Sequence, residues 1–436
     1  MDGTGTSLRK KRASAARISR RQACKLGLAA AATVLGGDRL HGLSAPSDDQ
    51  NPIRTPQSMT NKPHIAVVGA GAFGGWTALY LLRGGARVTL LDAWGPGNSR
   101  ASSGGETRVM RGAYGPNQPY TQMAARAMEL WHDNEQNWKQ KFFHRIGVLW
   151  MVEGDGQFER GSLPVLKDAG VPFEQLSSSE LAKRWKQINF EKVEWGIWEP
   201  QSGYLVARAS TQAVVEHFIA EGGEYRQRSV SEQGLESGDW KELTLSDGSK
   251  LQADQYVFAC GPWLGKLFPQ TVGPHFISTK QDVFFFGTPL GDDRYDEGIL
   301  PVWADHSDHF MYGIPGNQNR GFKLADDTRG AAFDPTSGQR IVDADRLAGA
   351  RSYIAYRFPG MKDAPLVETR VCQYENTTDH DFILDRHPAK ENAWIIGGGS
   401  GHGFKHGPAM GEKVARLVLR DELAEPEYLL RRFATR

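Results

Sequence analysis

The sequence predicts an α/β fold whose main sheet is assembled from segments far apart in the chain. Residues 64–94 follow the order strand, glycine-rich turn, apolar helix, strand. Residues 251–268 and 392–407 each contain a short apolar strand that runs into a glycine-containing turn. Three such segments in one sheet favour a domain that holds a long, extended dinucleotide. With 436 residues, the chain is long enough for two domains or for one large domain with an inserted lobe.

The first segment carries the most specific pattern. A buried strand, Ile65–Val68, leads into Gly69-x-Gly71-x-x-Gly74, and the second strand ends in Asp92. Gly69 makes the tight turn, Gly71 lets the backbone approach a pyrophosphate, and Gly74 lets the helix pack closely on the strand. Asp92 is placed to accept hydrogen bonds from ribose hydroxyls. The segment therefore predicts a Rossmann-like dinucleotide-binding domain.

A second glycine cluster, "GGGSGHGFKHG" at residues 397–407, lies between an apolar strand and a run with helical spacing. Backbone N–H groups and a helix N-terminus in this arrangement face an electron-rich ligand. Together with the Cys-Gly-Pro turn at residues 260–262, the cluster favours FAD over NAD. His402 and His406 are four residues apart, but no third ligand pattern accompanies them, so no metal site is predicted.

The N-terminus has the pattern of a targeting signal. "SRRQACK" (Ser19–Lys25) presents paired arginines before a mildly apolar run, which predicts a leader of the twin-arginine type over residues 1–45. Residues 46–61 are polar and contain proline, which is typical of a linker. We expect export to a bacterial periplasm. The alternatives are a transit peptide, a disordered tail or a cytoplasmic protein.

Charge and cysteine content exclude several classes. The formal net charge of the whole chain is +1. Residues 1–37 hold eight Lys or Arg and one Asp, a net charge of +7, so the rest of the chain carries a net charge of about −6. This balance disfavours a nucleic-acid partner. No apolar run beyond the leader is long enough to cross a bilayer. Three cysteines are too few for a disulfide scaffold, and any mature disulfide would join Cys260 to Cys372.

Several polar residues have two interpretations from the residues alone. Arg108 and Arg111, three apart, form either one solvated helical face or a cationic fork for a carboxylate. Lys405 is either a solvated surface lysine or a site residue at a helix start. Cys372 taken alone is typical of an inert buried thiol.

Four longer motifs carry a resemblance that covers nearly the whole chain after the leader. They are "GETRVMRGAYG" (105–115), "EPQSGYL" (199–205), "RVCQYENTTDHDFILDRHP" (370–388) and "GSGHGFKHG" (399–407). With the glycine fingerprint, they resemble the FAD-dependent amine oxidases of the D-amino-acid-oxidase superfamily. The nearest branch contains monomeric sarcosine oxidase, N-methyltryptophan oxidase and pipecolate oxidase.

The resemblance implies an α/β plus α+β architecture. A Rossmann-like FAD-binding domain is interleaved with a substrate domain whose sheet is mostly antiparallel and covers the flavin. We expect residues 62–145, 205–275 and 366–430 to form the FAD-binding domain. Residues 146–204 and 276–365 are expected to form the substrate domain.

The resemblance also implies a set of cofactor-binding residues. Cys372 stands where many members attach the flavin through a thioether, so FAD is expected to be covalently bound. The full expected set is Gly69, Gly71, Phe73, Gly74, Asp92, Arg108, Gly261, Cys372, Gly399, Gly401, Gly403, Phe404 and Lys405.

Further residues are expected to act on the substrate. Arg111 and Lys405 stand where the family grips a substrate carboxylate, and Tyr374 lines the same site. The expected catalytic residues are Lys323, which matches the lysine that promotes the reaction of reduced flavin with oxygen, and Arg108, Tyr312 and Asp327. Asp327 departs from the pattern, because sarcosine oxidase has a histidine there. This change would suit a substrate with an extra polar or cationic group.

The activity implied is that of a monomeric oxidase acting on a small secondary-amine amino acid, either N-methyl or cyclic. Its C–N bond becomes an imine, and O₂ becomes H₂O₂. One alternative is a flavin dehydrogenase that passes electrons to a carrier, and another is a non-catalytic exported flavoprotein. A third alternative, an NAD-dependent dehydrogenase, would not explain the motifs in residues 370–407.

Overall fold

The computed structural model describes residues 62–435, apart from 233–234, 237–239 and 308. The predicted leader (1–45) and linker (46–61) lie outside the described residues, so twin-arginine export stays a prediction. The described residues belong to one compact unit. None of their helices is long and apolar enough to span a bilayer.

The strands of this unit are numbered in chain order. They are β1 His64–Val68, β2 Arg87–Leu91, β3 Thr107–Met110, β4 Phe143–His144, β5 Val148–Val152, β6 Glu174–Ser177, β7 Trp195–Glu199, β8 Gly203–Val206, β9 Glu224–Arg226, β10 Leu243–Thr244, β11 Lys250–Leu251, β12 Gln255–Phe258, β13 Phe276–Phe286, β14 Val302–His306, β15 Phe310–Ile314, β16 Phe322–Asp326, β17 Leu366–Thr377, β18 Ile383–His387 and β19 Lys390–Gly397.

The helices are numbered in the same way. They are α1 Ala72–Arg83, α2 Gln118–Trp138, α3 Gln157–Asp168, α4 Ser178–Arg184, α5 Ala207–Ala220, α6 Leu264–Leu267, α7 Ala344–Arg357 and α8 Gly407–Arg420.

A six-stranded sheet has the order β18-β19-β12-β1-β2-β9, and every pair in it is parallel except β18 with β19. Strand β1, "HIAVV", is buried along its whole length, as expected for a central parallel strand covered on both faces. The strands come from three distant parts of the chain, near residues 64–91, 224–258 and 383–397. This is the Rossmann-like sheet that the sequence predicts.

A second sheet of eight strands has the order β17-β13-β16-β15-β14-β5-β7-β6. Its neighbours are antiparallel, with the exception of β14 and β5. The predicted combination of a Rossmann-like sheet with a mostly antiparallel sheet is confirmed. A three-stranded sheet, β3-β8-β4, lies outside both large sheets.

The sheet boundaries differ from the predicted domain bounds at two places. Strand β17 pairs with β13 from Leu366 to Thr377, so residues 366–377 lie in the antiparallel sheet although the prediction puts them in the FAD-binding domain. The predicted bound at residue 205 falls inside β8, which pairs with β3 and β4. Sequence patterns place strands but do not show their partners, and the domain bounds themselves stay predictions.

Helices α1 and α8 pack closely against each other beside the six-stranded sheet. In α8 the predicted apolar stripe is buried, including Met410, Val414 and Leu417. Gly411 sits at the crossing, where an added Cβ would lie only 2.6 Å from the backbone carbon of Trp76 in α1. Because α1 follows the first glycine turn and α8 follows the second glycine cluster, this contact fixes the two turns relative to each other.

We predict that Gly411→Ala lowers the free energy of unfolding by about 1–3 kcal/mol, because the methyl group must push two packed helices apart. Gly349→Ala is the matched control, since Gly349 lies within α7 and an added Cβ meets nothing within 4 Å. Removing a helical glycine there should raise stability by about 0.5–1 kcal/mol. Urea denaturation measures both changes. Equal effects of the two substitutions would contradict the close α1–α8 contact.

Candidate active site

One cavity lies where the six-stranded sheet meets the edge of the eight-stranded sheet. It reaches from Asp92 and Val230 to Cys372 and Tyr374. Most residues expected from the sequence to contact a dinucleotide line it. They are Gly69, Gly71, Phe73, Asp92, Arg108, Gly261, Cys372, Gly399, Gly401, Gly403 and Phe404.

The first glycine turn lies at the end of β1. Gly69 has a φ of +104°, and a Cβ on it would overlap the carbonyl oxygen of Ala259, so only glycine fits this turn. Gly74 lies under the turn, against Gly69 and Ala259, and does not line the cavity. The Asp92 carboxylate accepts hydrogen bonds from the N–H groups of Ala70 (2.8 Å), Trp94 (2.9 Å) and Gly95 (2.8 Å). These bonds fix its position at the end of β2.

The second glycine cluster docks on the free edge of β17. The N–H of Ser400 donates to the carbonyl oxygen of Glu375 at 3.0 Å, and the N–H of Thr377 donates to Ser400 Oγ at 3.3 Å. Strand β17 pairs only with β13 in its sheet, which leaves this edge available. The docking places residues 397–403 beside Cys372, so both large sheets contribute to one wall of the cavity.

Two cations meet at one backbone carbonyl near Cys372. Lys323 Nζ and Arg108 Nη1 both donate to the carbonyl oxygen of Thr107, each at 2.9 Å. Arg108 Nη2 also lies 3.3 Å from Cys372 Sγ. Burial, together with the neighbouring Arg108 charge, lowers the pKa of Lys323 to about 7. Lys323 is therefore a buried amine that changes charge near neutral pH.

A second cationic pair is held against Tyr114. The Arg111 guanidinium carbon lies 4.2 Å from the centre of the Tyr114 ring, and Lys405 Nζ lies 5.4 Å from it. Lys405 Nζ donates to Tyr114 Oη and to the carbonyl oxygen of His402, both at 2.9 Å. Burial, followed by the Arg111 charge, lowers the pKa of Lys405 well below its usual range. An anion bound here would stabilise the charged form of Lys405 against both its burial and the repulsion from Arg111.

Tyr114 connects this lysine to a buried histidine. Tyr114 Oη lies 2.7 Å from His406 Nε2. Because Lys405 donates to the Tyr114 oxygen, the hydroxyl proton is free to point at His406. Burial keeps the pKa of His406 well below its usual range, which favours the neutral ring, and Nε2 of that ring accepts a hydrogen bond from the Tyr114 hydroxyl.

Tyr374 and Asp327 form a polar pair next to these cations. Tyr374 Oη donates to Asp327 Oδ1 at 2.8 Å, and Arg329 Nη1 donates to Asp327 Oδ2 at 3.0 Å. Burial raises the pKa of Asp327, while Arg329 and Tyr374 act in the opposite direction. Tyr312 lies close by, with its ring centre 5.6 Å from Lys323 Nζ.

The structure brings the predicted catalytic and substrate-binding residues together around one end of the cavity, although their roles stay predictions. Tyr374 and Arg108 line the cavity, and Lys405 follows Phe404, which lines it. The helical interpretation of Arg108 and Arg111 is wrong, because Arg108 lies in β3 and Arg111 follows that strand. Lys405 is 5% exposed, which excludes a solvated surface lysine.

Sequence analysis missed four residues that shape the site. Glu199 is fully buried and accepts hydrogen bonds from Gly112 N (2.7 Å), Trp150 Nε1 (2.8 Å) and Ser202 Oγ (2.6 Å), so it anchors the loop after Arg111. The others are Tyr114, His406 and Glu375. All four lie within motifs quoted above, which was the available signal: Glu199 in "EPQSGYL", Tyr114 in "GETRVMRGAYG", Glu375 in "RVCQYENTTDHDFILDRHP" and His406 in "GSGHGFKHG". Polar residues in these motifs can be found by pattern, but their partners cannot.

The cysteines and histidines show no second site. Cys260 and Cys372 are free thiols, so the possible disulfide between them is absent from the structure. Burial raises the pKa of Cys260 far above its usual range, which makes it unreactive. Within the described part of the chain, no group of three His, Cys, Asp or Glu side chains is arranged to hold a metal ion.

The fold and the cavity define a class of protein, one in which a Rossmann-like sheet binds a dinucleotide beside a mostly antiparallel sheet. The family model for FAD-dependent oxidoreductases of the DAO type matches residues 64–417. The chain belongs to this family, and it is an FAD-dependent oxidoreductase.

Similar proteins of known activity cover most of the chain. Monomeric sarcosine oxidase of Bacillus sp. (strain B-0618) is 30% identical over 359 residues, covering 81% of this chain and 92% of that protein. N-methyl-L-tryptophan oxidase of Yersinia pestis (strain Pestoides F) is 26% identical over 363 residues, covering 82% of this chain and 95% of that protein.

Solved structures share the fold. L-proline dehydrogenase from P. horikoshii superposes with a TM-score of 0.75 at 20% identity, covering 86% of this chain and 98% of that chain. A fructosyl peptide oxidase gives a TM-score of 0.70 at 22% identity, covering 85% and 93%.

The residues of the cavity fit FAD. Gly69, Gly71 and Ala72 line the cavity at the N-terminus of α1, where a pyrophosphate binds in such folds. Asp92 is fixed at the end of β2, where it can accept from ribose hydroxyls. At the other end, glycines 399, 401 and 403 leave the backbone open to the cavity beside Cys372. Both ends of an extended dinucleotide therefore have a matching surface.

Proposed function

We propose that this protein oxidises the C–N bond of a small amino acid whose nitrogen is a secondary amine, either N-methyl or cyclic, with O₂ as electron acceptor. The observation that carries the proposal is the pair of the buried Lys405 and the partly buried Arg111 on one Tyr114 ring, beside the Arg108–Cys372 end of the FAD cavity. Lys405 is almost fully buried and Arg111 places a second positive charge next to it, which favours an anionic ligand. The carboxylate of an amino acid supplies that anion.

The substrate amine loses two electrons and two protons to become an imine, which water then hydrolyses. When bound, FAD would supply the two-electron acceptor for the carbon next to the nitrogen, with O₂ as the final acceptor and H₂O₂ as its product. Arg111 and Lys405 hold the carboxylate and so fix which C–H bond faces the cofactor. The names of the two similar oxidases, which act on sarcosine and on N-methyl-L-tryptophan, support a secondary-amine substrate.

Asp327 and Tyr374 border the same space and would meet the rest of the substrate. Tyr374 Oη is fixed by its bond to Asp327, and Arg329 balances the charge of that carboxylate. This polar surface supports a substrate with a polar or cationic group in addition to the amine. A purely apolar side chain would take water away from the Asp327 carboxylate without giving it a further hydrogen bond.

Lys323 serves the reaction with O₂. It lies close to Arg108 and Tyr312, and it is 2% exposed. As a cation, it would stabilise the negative charge that O₂ gains with its first electron. Cys372 would hold the cofactor through a thioether, supported by its position on the cavity wall with its sulfur 3.3 Å from the Arg108 guanidinium.

The central test is a substrate panel on the purified, flavin-loaded protein. We expect N-methyl and cyclic amino acids to bleach the flavin without O₂ and to yield H₂O₂ with it. The matched controls are the same amines without the carboxylate, which should react at least about tenfold more slowly, because one hydrogen bond to a charged group contributes roughly 1.5–3 kcal/mol. Bleaching without peroxide would indicate a dehydrogenase that uses a carrier. No bleaching with any amine would indicate a non-catalytic flavoprotein.

The two buried lysines should separate kinetically. Lys405→Met should weaken substrate binding about tenfold to a hundredfold, measured as the substrate dependence of anaerobic flavin reduction. Lys323→Met should leave that reduction unchanged and slow reoxidation by O₂.

The pH dependence follows from the same lysine. The lowered pKa means that Lys323 is a cation below about pH 7 and loses its charge as the pH rises. Reoxidation by the unaltered enzyme should therefore fall with rising pH, and Lys323→Met should not show this fall. Slow reduction with normal reoxidation in Lys323→Met would place that lysine in the substrate pocket instead.

Covalent attachment is tested by acid precipitation. We expect the flavin to remain with the unaltered polypeptide and to be released from Cys372→Ser. Cys260→Ser is the matched control, since Cys260 also lines the cavity but is deprotonated only with difficulty. Flavin freed from the unaltered protein would show that the cofactor is held without a covalent bond.

A further inference from the structure

Glu375 is an acidic side chain on the wall of the FAD cavity that the proposed reaction does not use. It lies in β17, three residues after Cys372, and lines the same cavity. Glu375 Oε2 accepts a hydrogen bond from Ser102 Oγ at 2.6 Å. Its Oε1 lies where a Cβ on Gly399 would be only 2.7 Å away, so this glycine leaves room for the carboxyl group.

The surroundings of this carboxyl group contain few positive charges. The positive charge of Arg108 in β3 lowers the pKa of this carboxyl group. The Arg108 guanidinium already donates to Thr107 O and lies 3.3 Å from Cys372 Sγ. Burial raises the pKa of Glu375 to about 7, while Ser102, Arg108 and the N–H of Gly399 act in the opposite direction. Glu375 therefore exchanges a proton near neutral pH before any cofactor enters.

FAD brings a diphosphate and many other oxygen atoms into this cavity. Glu375 Oε2 lies 3.9 Å from where a Cβ on Gly261 would be, and Ser102, which donates to it, precedes Ser103, whose Oγ accepts from Ala72 N at the N-terminus of α1 at 3.0 Å. Glu375 is thus also near the end of the cavity that suits a pyrophosphate, and an ionised carboxylate there would be repelled by that charge. A protonated carboxyl group instead offers one O–H donor. We propose that Glu375 is a neutral carboxylic acid in the loaded protein, so that FAD binding takes up one proton. The inference concerns cofactor binding alone and does not depend on which amine is oxidised.

The experiment uses the full-length Cys372→Ser protein without flavin, so that binding is reversible. Affinity for FAD is followed by quenching of flavin fluorescence between about pH 6 and about pH 9. Above the pKa of free Glu375, the Kd should rise about tenfold per pH unit, because one proton must be supplied for each FAD bound. Calorimetry in buffers with different ionisation enthalpies should report uptake of about one proton at the alkaline end.

Glu375→Gln in the same background keeps the shape and the donor but cannot titrate. We expect it to bind FAD at all pH values about as tightly as its parent does at pH 6. Lys323→Met is the matched control, since Lys323 titrates in the same range and faces Arg108, and this variant should keep the pH dependence. An unchanged pH slope in Glu375→Gln, or no slope in the parent, would overturn the proposal.

A second variant decides the question if Glu375→Gln does not fold. Ser102→Ala removes the hydroxyl that stabilises the carboxylate, so the pKa of Glu375 in the flavin-free protein rises further. The weakening of FAD binding should then begin at a higher pH than in the parent. An onset at the same pH would overturn the proposal. All these measurements are made without an amine, so their outcome is separate from that of the substrate panel.

Discussion

The site depends on one contact, the docking of residues 397–403 on the free edge of β17. Two hydrogen bonds, Ser400 N to Glu375 O and Thr377 N to Ser400 Oγ, connect the parallel sheet to the antiparallel one. A free strand edge carries unpaired backbone groups that must be covered. Here the cover is a glycine-rich turn, which has few side chains of its own. The same contact therefore gives backbone groups at the edge of β17 hydrogen-bond partners and leaves a cavity open along that edge.

The cations of the site are arranged around this cavity in two groups with different surroundings. Lys323 and Arg108 share the Thr107 carbonyl, whereas Lys405 and Arg111 share the ring of Tyr114. Burial lowers the pKa of both lysines, and a nearby arginine adds to the effect in each case. Charges of one sign held close together in a buried place are costly, and binding an anion relieves that cost. The arrangement thus lowers the stability of the protein with an empty site and increases its affinity for an anion.

Sequence analysis predicted the fold class and most of the cavity wall, because both depend on local patterns. The Gly69 turn and its strand are contiguous, and periodicity fixes which face is buried. It missed Glu375, and the reason is geometric. Alternation along β17 puts Cys372 and Tyr374 on one face and Glu375 on the other. Because β17 is an edge strand with the cavity wrapped around its edge, all three line the cavity. Pairing at the edge is a long-range property that spacing cannot show.

The order of strands in the six-stranded sheet also bears on how the protein is made. Strand β19, at Lys390–Gly397, pairs directly with β12, which in turn pairs with β1. During synthesis the ribosome delivers β1, β2 and β12 long before β19, so β12 waits with an open edge while more than a hundred residues follow. An open parallel edge is prone to pair with other chains. Because residues 397–403 form part of the cavity wall, the cavity is complete only after this C-terminal segment has emerged.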